Sequence, residues 1–271
     1  MDEMSQPAIT PKGIDPGRSD PTRRFSNRVE NYIKYRPGYP LAVLDYLRDA
    51  AGLTPQFAVA DVGSGTGISA RLFLDCGCTV FGIEPNLDMR QAADRLLKAF
   101  PKFHSIDGTA EATTLPEGSV DLVAAGQAFH WFDPARARAE FRRILRPAGK
   151  VALMWNCRKT TGTPFLEAYE QLLMEFGTDY GQVRHENIDS KALSAFFDSG
   201  NYALGTFANH QSFDFEGLRG RVLSSSYAPA PGEPGHDPMM RALLALFERF
   251  NTLGRVAFDY DTQVYVGGIA P

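Results

Sequence analysis

From Phe57 onward, short apolar runs alternate with stretches in which apolar residues recur at helical spacing. FAVADVG, CTVFGIE, KFHSID, VDLVAAG (Val120 to Gly126) and GKVALMWN read as buried strands. GISARLFLDCG, NLDMRQAADRLLKAF and the segment from Asp133-Pro134 to Leu145 read as the helices between them. Asn86 is the expected N-cap of the second helix, and Asp133 with Pro134 supplies a cap and first helical residue for the third. Near-continuous apolar strands alternating with helices predict a mostly parallel sheet covered on both faces. Right-handed crossovers then make a doubly wound α/β fold.

The flanks follow other patterns. Upstream, FSNRVENYIKY places Phe25, Val29, Tyr32 and Ile33 at helical spacing, RPGYP (Arg36 to Pro40) breaks that helix, and LAVLDYLRDA predicts a second one ending near Gly52. Residues 1–24 have almost nothing to bury and read as a disordered tail. After Asn156 the alternation stops. TPFLEAYEQLLMEFG and SKALSAFFDSG predict helices on either side of a polar loop over 177–190, a helical cap inserted at about 158–200. NHQSFDFE reads as a strand, followed by a helix from Glu216 to Ser226, a Pro/Gly-rich loop (Pro229 to Pro238) and a helix through Phe250. RVAFDYDTQVYVGGIA has strong β character and is expected to close the sheet as an antiparallel C-terminal edge strand. The division expected is therefore a tail over 1–24, N-terminal helices over 25–56 and the main domain over 57–271.

Composition narrows the partners. The 271 residues are 44% hydrophobic, enough for a sizeable core, and 28 Lys+Arg against 32 Asp+Glu leave a net charge of -4. A general nucleic-acid binder needs a basic excess, so nucleic acid is not the expected partner. No run approaches the ~18 apolar residues of a membrane span, and MDEMSQPAIT lacks a signal core, so a cytoplasmic protein is expected. Cys76, Cys78 and Cys157 match neither a disulfide framework nor a four-ligand zinc site, and no metal is expected. No coiled-coil heptad or other assembly signature separates a monomer from a homodimer.

The most informative segment is VADVGSGTG, Val59 to Gly67. A strand ends at Asp61-Val62, and Gly63, Gly65 and Gly67 make a tight turn before a helix. Glycine there lets a ligand approach the backbone, and the helix start offers free N–H groups to an anionic group. A dinucleotide fingerprint, G-x-G-x-x-G, opens the same kind of fold, but its third glycine falls on Ile68 here. Glu84, at the end of FGIEPN, is placed to accept hydrogen bonds from ribose hydroxyls. NAD and S-adenosylmethionine sites share that device, so it points to a ribosyl cofactor without choosing between them.

Together these residues resemble the class I S-adenosylmethionine-dependent methyltransferases, in a methyltransferase-11-like small-molecule branch, over about Phe25 to Asn156. The resemblance implies a Rossmann-like methyltransferase fold with S-adenosyl-L-methionine as cofactor. ADVGSGTG is similar to the family's first motif, placing Gly63, Ser64, Gly65, Thr66 and Gly67 against the methionine part. FGIEPN resembles the second, with Glu84 on the ribose and Pro85 and Met89 beside it. DGTAEATTLP resembles the adenine-side loop, which brings Thr109, Ala110 and Glu111 to the adenine; Thr109 stands where the family often has Asp. VDLVAAGQAFHWFD is similar to the fourth-strand motif and brings in Gln127. RILRPAGKVALMWN resembles the usual passage into the fifth strand. FSNRVENYIKYRPGYP looks like the branch's lid, with Tyr32 and Arg36 at the methionine end.

Some side chains have more than one reading. Arg36 either pairs with the cofactor carboxylate or holds the helix break in place. His130 is a general base, a substrate donor or a packing residue. Trp131 offers an apolar wall or a cation–π contact to the sulfonium, or packs in the core. Arg219 and Arg221 either bind a carboxylate substrate or sit on the surface. Arg138, Arg142 and Arg146, with Arg136 and Arg143 nearby, form a stripe that reads as a solvated helix face rather than an RNA-binding surface. The activity expected is methyl transfer to a small-molecule acceptor, with a carboxylic acid as one option. Its rivals are an NAD-dependent oxidoreductase and a non-catalytic S-adenosylmethionine-binding module.

Overall fold

The computed structural model describes residues 28–183, 190–197 and 201–269. The expected tail, Phe25 and much of the polar loop over 177–190 lie outside the described residues. Two helices come first, α1 (Val29–Tyr35) and α2 (Ala42–Ala51), the latter closed by Gly52 in the left-handed conformation at φ 70. The alternating core follows as β1 (Ala58–Val62), α3 (Ile68–Asp75), β2 (Thr79–Ile83), α4 (Leu87–Leu96), β3 (Phe103–Ile106), β4 (Val120–Gly126), α5 (Pro134–Ile144) and β5 (Leu145–Arg158). The side chain of Asn86 accepts from Met89 N, and that of Asp133 accepts from Ala135 N and Arg136 N, so both expected caps are in place.

Beyond β5 come α6 (Pro164–Phe176), a short α7 (Tyr180–Val183), α8 (Ser190–Phe196), β6 (Tyr202–Phe213), α9 (Phe215–Leu223), α10 (His236–Phe250) and β7 (Val256–Gly267). The sheet order is β3-β2-β1-β4-β5-β7-β6. The first five strands are parallel and β7 runs antiparallel to both of its neighbours. The C-terminal strand is thus antiparallel as expected, but it lies one place in from the edge. β6 takes the outermost position, and it begins at Tyr202, well ahead of the Asn209 where the sequence pattern starts. Burial explains the exchange. Successive residues Val264, Tyr265 and Val266 of β7 are all buried, as an interior strand requires, whereas β6 buries only Gly205 and Phe213.

Alternate residues of the central strands feed two cores. Leu122, Ala124, Ala152 and Met154 face α2 and α3, against Leu47 and Phe73. Val123, Ala125, Leu153 and Trp155 face α5 and α8, against Phe141 and Phe196. Each fully buried Leu or Phe contributes about 2 kcal/mol, so these layers hold the strand ends rigidly. A third core joins α6, α9 and α10 to Phe258 and Tyr260 of β7 and forms the helical cap. No helix among the described residues is long and apolar enough to cross a membrane.

Candidate active site

The turn after β1 is tied to β2, because Gly63 N and Ser64 N both donate to Ile83 O, at 2.8 and 3.1 Å. The three glycines then serve different ends. A Cβ on Gly63 would meet Ala128 Cβ at 2.5 Å, and one on Gly67 would meet Leu97 Cδ1 at 2.6 Å, so these two allow close packing. Gly65, at φ +55, faces open space, with no atom within 4 Å of the Cβ position. That open space is a cleft.

Glu84 stands across from it at the end of β2. Its Oε2 accepts from Gly65 N at 2.9 Å and its Oε1 from Asn86 N at 2.9 Å, leaving further lone pairs on both oxygens. Burial raises its pKa, and the two backbone donors pull it partly back. Arg90 secures the neighbouring backbone by donating to Glu84 O at 2.7 Å, Pro85 O at 2.8 Å and Asp107 Oδ1 at 2.9 Å.

The cleft encloses about 850 Å³, open to solvent, beyond the carboxyl ends of β1, β2 and β4. Among the residues singled out in the sequence, its walls include Tyr32, Gly63, Gly65, Glu84, Pro85, Met89, Thr109, Ala110, Glu111, Gln127 and Trp131. A smaller cavity of about 470 Å³ adjoins it and brings Arg36, Ser64 and Arg221 together with Tyr32, Gly63 and Gln127. Thr66, Gly67 and His130 line neither. Thr66 is buried with its hydroxyl unbonded, and Gly67 packs against α4. The sequence reading missed Tyr39, Ser69 and Asn156 in the smaller cavity and Asn86 and Phe132 in the cleft. Asn156 carried a faint signal, a polar residue ending an apolar run at the sheet's ligand-binding edge. Its Nδ2 donates to Gly38 O at 3.2 Å, which fastens the RPGYP segment over the strand ends. Gln127, just past β4, holds φ 59, a left-handed conformation that costs a non-glycine residue about 1 kcal/mol or more.

Residues 60–153 match the family model described as a methyltransferase domain. By that match, residues 60–153 are a methyltransferase domain. An uncharacterized methyltransferase of Mycobacterium tuberculosis is 39% identical over 141 residues, 52% of this chain and 55% of that one. The chain thus spans about half the length of the curated relatives it matches. A putative type II methyltransferase from Anaeromyxobacter dehalogenans superposes with a TM-score of 0.67 at 22% identity, covering 88% of this chain and 99% of the other. A geranyl diphosphate C-methyltransferase from Streptomyces coelicolor, solved with Mg²⁺, geranyl diphosphate and S-adenosyl-L-homocysteine, gives a TM-score of 0.52 at 13% identity over 96% and 100% of the two chains. At those identities the two structures establish a shared fold.

Within the methyltransferase domain, Asp61 is fully buried beneath the glycine turn. Ser69 Oγ lies 2.9 and 2.8 Å from its two oxygens, yet burial raises its pKa from 3.8 to about 7. Below its ordinary range both folded and unfolded chains hold this proton. Between that range and about 7 only the folded chain does, so the group lowers stability as pH rises. Asp61→Asn keeps the acceptor for Ser69 and removes the titration. Urea unfolding should therefore show the variant gaining about 2–3 kcal/mol on the wild type between pH ~5 and pH ~7. A stability difference independent of pH would refute the raised pKa.

His130 and Arg219 lie outside both cavities. His130 is exposed, and its ring lies 4.6 Å from that of Trp131. Trp131 lines the cleft, whereas His130 lines neither cavity. His130→Ala should leave the dissociation constant for S-adenosyl-L-homocysteine within about 1 kcal/mol of wild type and lower turnover less than about tenfold. A hundredfold loss together with a vanished acidic limb in the pH profile would restore the base role. Arg219 is exposed beside Glu216, whereas Arg221 is buried, which corrects the surface reading for that residue. In the arginine stripe, Arg143 pairs with Glu140 and Arg146 with Asp121, at 2.7 and 2.6 Å, and Arg138 donates to Phe196 O at 3.1 Å.

Proposed function

We propose that this chain transfers a methyl group from S-adenosyl-L-methionine to a small-molecule acceptor. The observation that carries the reading is the cleft that faces Gly65 on one side and Glu84 on the other, where a ribosyl ligand meets bare backbone and a carboxylate. When bound, the cofactor supplies an electrophilic methyl group on a sulfonium centre. Glu84 accepts the ribose hydroxyls on lone pairs its backbone donors leave free. Pro85 and Met89 offer an apolar wall to the adenine, and the Thr109–Glu111 segment meets its edge. Ser64 meets the amino-acid end.

Transfer is an in-line displacement, so the protein's task is alignment and the exclusion of water. Gln127 and Tyr32 line both cavities and stand where acceptor and methyl donor would meet. Residues 25–56 serve as a lid, since Tyr32, Arg36 and Tyr39 close the side of the cavities that the sheet does not. Residues 57–271 make up the transferase domain, with the insertion at about 158–200 as part of its helical cap. An acceptor that is already ionised needs no base, which accords with the position of His130; a carboxylic acid is such an acceptor.

Calorimetry with S-adenosyl-L-homocysteine and with NAD tests the cofactor, and mass spectrometry of a metabolite panel tests the transfer. Binding of the former alone, with one metabolite gaining a methyl group, is the expected outcome. Binding of NAD alone would make the protein an oxidoreductase. Cofactor binding with no methylated product would leave a binding module.

A further inference from the structure

Two arginines in the smaller cavity, Arg221 buried and Arg36 half-buried, have no counter-charge among the described residues. Arg36 comes from the end of α1 and Arg221 from α9. Arg221 is 5% exposed, and its partners are neutral: Nε lies 3.4 Å from the Tyr260 hydroxyl and Nη1 lies 3.1 Å from Ser225 Oγ. Arg36 donates through Nη2 to Ser224 O at 2.9 Å and lies over the Tyr32 ring at 5.0 Å, while its Nε is shielded from solvent and bonds to nothing. Among the described residues no carboxylate pairs with either. The fold does otherwise at Arg158, whose charge is answered by Glu170 and whose guanidinium also meets Tyr180. Burial, and then the charge of Arg221, lower the pKa of Arg36, as expected of two cations held together out of water.

We propose that Arg36 and Arg221 form an anion subsite that holds a carboxylate group of the methyl acceptor. This rests on the methyltransferase reading and narrows it to acidic acceptors. Charge balance carries the step from cation pair to acceptor. The amino-acid end of S-adenosyl-L-methionine brings one carboxylate and one ammonium, and its sulfonium adds a further cation. The cofactor as a whole therefore brings no net negative charge to Arg36 and Arg221. A second anion on the pair would supply the balance, and an uncompensated buried charge is costly. Guanidinium groups match a carboxylate in shape and charge. The carboxylate held here is an anchor that orients the acceptor toward the methyl group; it need not be the atom methylated.

The test uses the full chain saturated with S-adenosyl-L-homocysteine. A panel of aliphatic and aromatic carboxylates is titrated beside the matching primary amides, on wild type, Arg221→Met and Arg221→Lys. At least one acid should bind wild type about tenfold or more tighter than its amide, the scale of one charge-assisted hydrogen bond. Arg221→Met should erase that preference and Arg221→Lys retain part of it, while affinity for S-adenosyl-L-homocysteine shifts less than about threefold. A loss of about tenfold or more in S-adenosyl-L-homocysteine affinity in Arg221→Met would overturn the proposal and assign the pair to the cofactor's own carboxylate. So would equal binding of acids and amides by wild type, a comparison that stands even if Arg221→Met fails to fold. Failure of wild type to bind S-adenosyl-L-homocysteine at all is a separate outcome: it removes the methyltransferase reading, and this inference with it.

Discussion

Gly65→Val should abolish detectable binding of S-adenosyl-L-homocysteine in a protein that still folds. The expectation rests on two properties of one position. Its φ of +55 suits glycine and opposes a β-branched residue, which costs about 1–2 kcal/mol of stability. The sheet and its two cores lie elsewhere and can absorb that cost. The Cβ direction opens into the cleft, so the valine methyls take the volume a ribosyl ligand needs. Calorimetry reads the loss, and circular dichroism with a melting curve verifies the fold. Gly65→Ala should fall between the two, with a weakened but measurable affinity. An unchanged dissociation constant in folded Gly65→Val would move the cofactor out of this cleft altogether.

Glu84→Ala should weaken binding of S-adenosyl-L-homocysteine by about 2–4 kcal/mol, at ~1.5–3 kcal/mol for each hydrogen bond to a charged group and with imperfect additivity. The carboxylate has a second task, since it holds Gly65 N and Asn86 N, so its removal also loosens the turn it faces. Glu84→Gln separates the two effects: one oxygen remains to accept, but the amide cannot accept from both backbone groups. Binding should also weaken toward acid in wild type, because burial raises the pKa of Glu84 and its protonated form accepts less. That acid sensitivity should shrink in Glu84→Gln. A folded Glu84→Ala with wild-type affinity would remove the carboxylate from the site.

The parts of the fold legible in the sequence were those written locally. β1, β2, β4 and β5 are buried on both faces and show as apolar runs, and Asn86 and Asp133 announce helix starts through side chains that bond their own backbone. β6 was half hidden because YALGTFA, its first half, exposes most of its residues and contains Gly205. The place of β7 was hidden for another reason: periodicity tells how many faces a strand buries but not which strand it lies beside. The site divides in the same way. Gly65 and Glu84 sit in contiguous motifs at strand ends, where sequence spacing and spatial position agree. Tyr39, Ser69 and Asn156 meet only because the RPGYP segment, α3 and β5 converge, and no spacing encodes that convergence. His130 and Trp131 are neighbours in sequence, yet only Trp131 lines the cleft, a difference that one tight turn makes and spacing does not encode.

The insertion of β7 between β5 and β6 has a consequence for the order in which the chain can be completed during synthesis. β6 leaves the ribosome before the strand that gives it its entire hydrogen-bonded ladder, and β5 has one edge bare over the same interval. Both α9 and α10 must emerge in the meantime. Until Val256–Gly267 arrives, the nascent protein therefore presents two long, unsatisfied strand edges, the usual template for pairing with another chain. A ribosome stalled after α10, or a stop codon there, would leave a species whose parallel half is built and whose far end is open to aggregation.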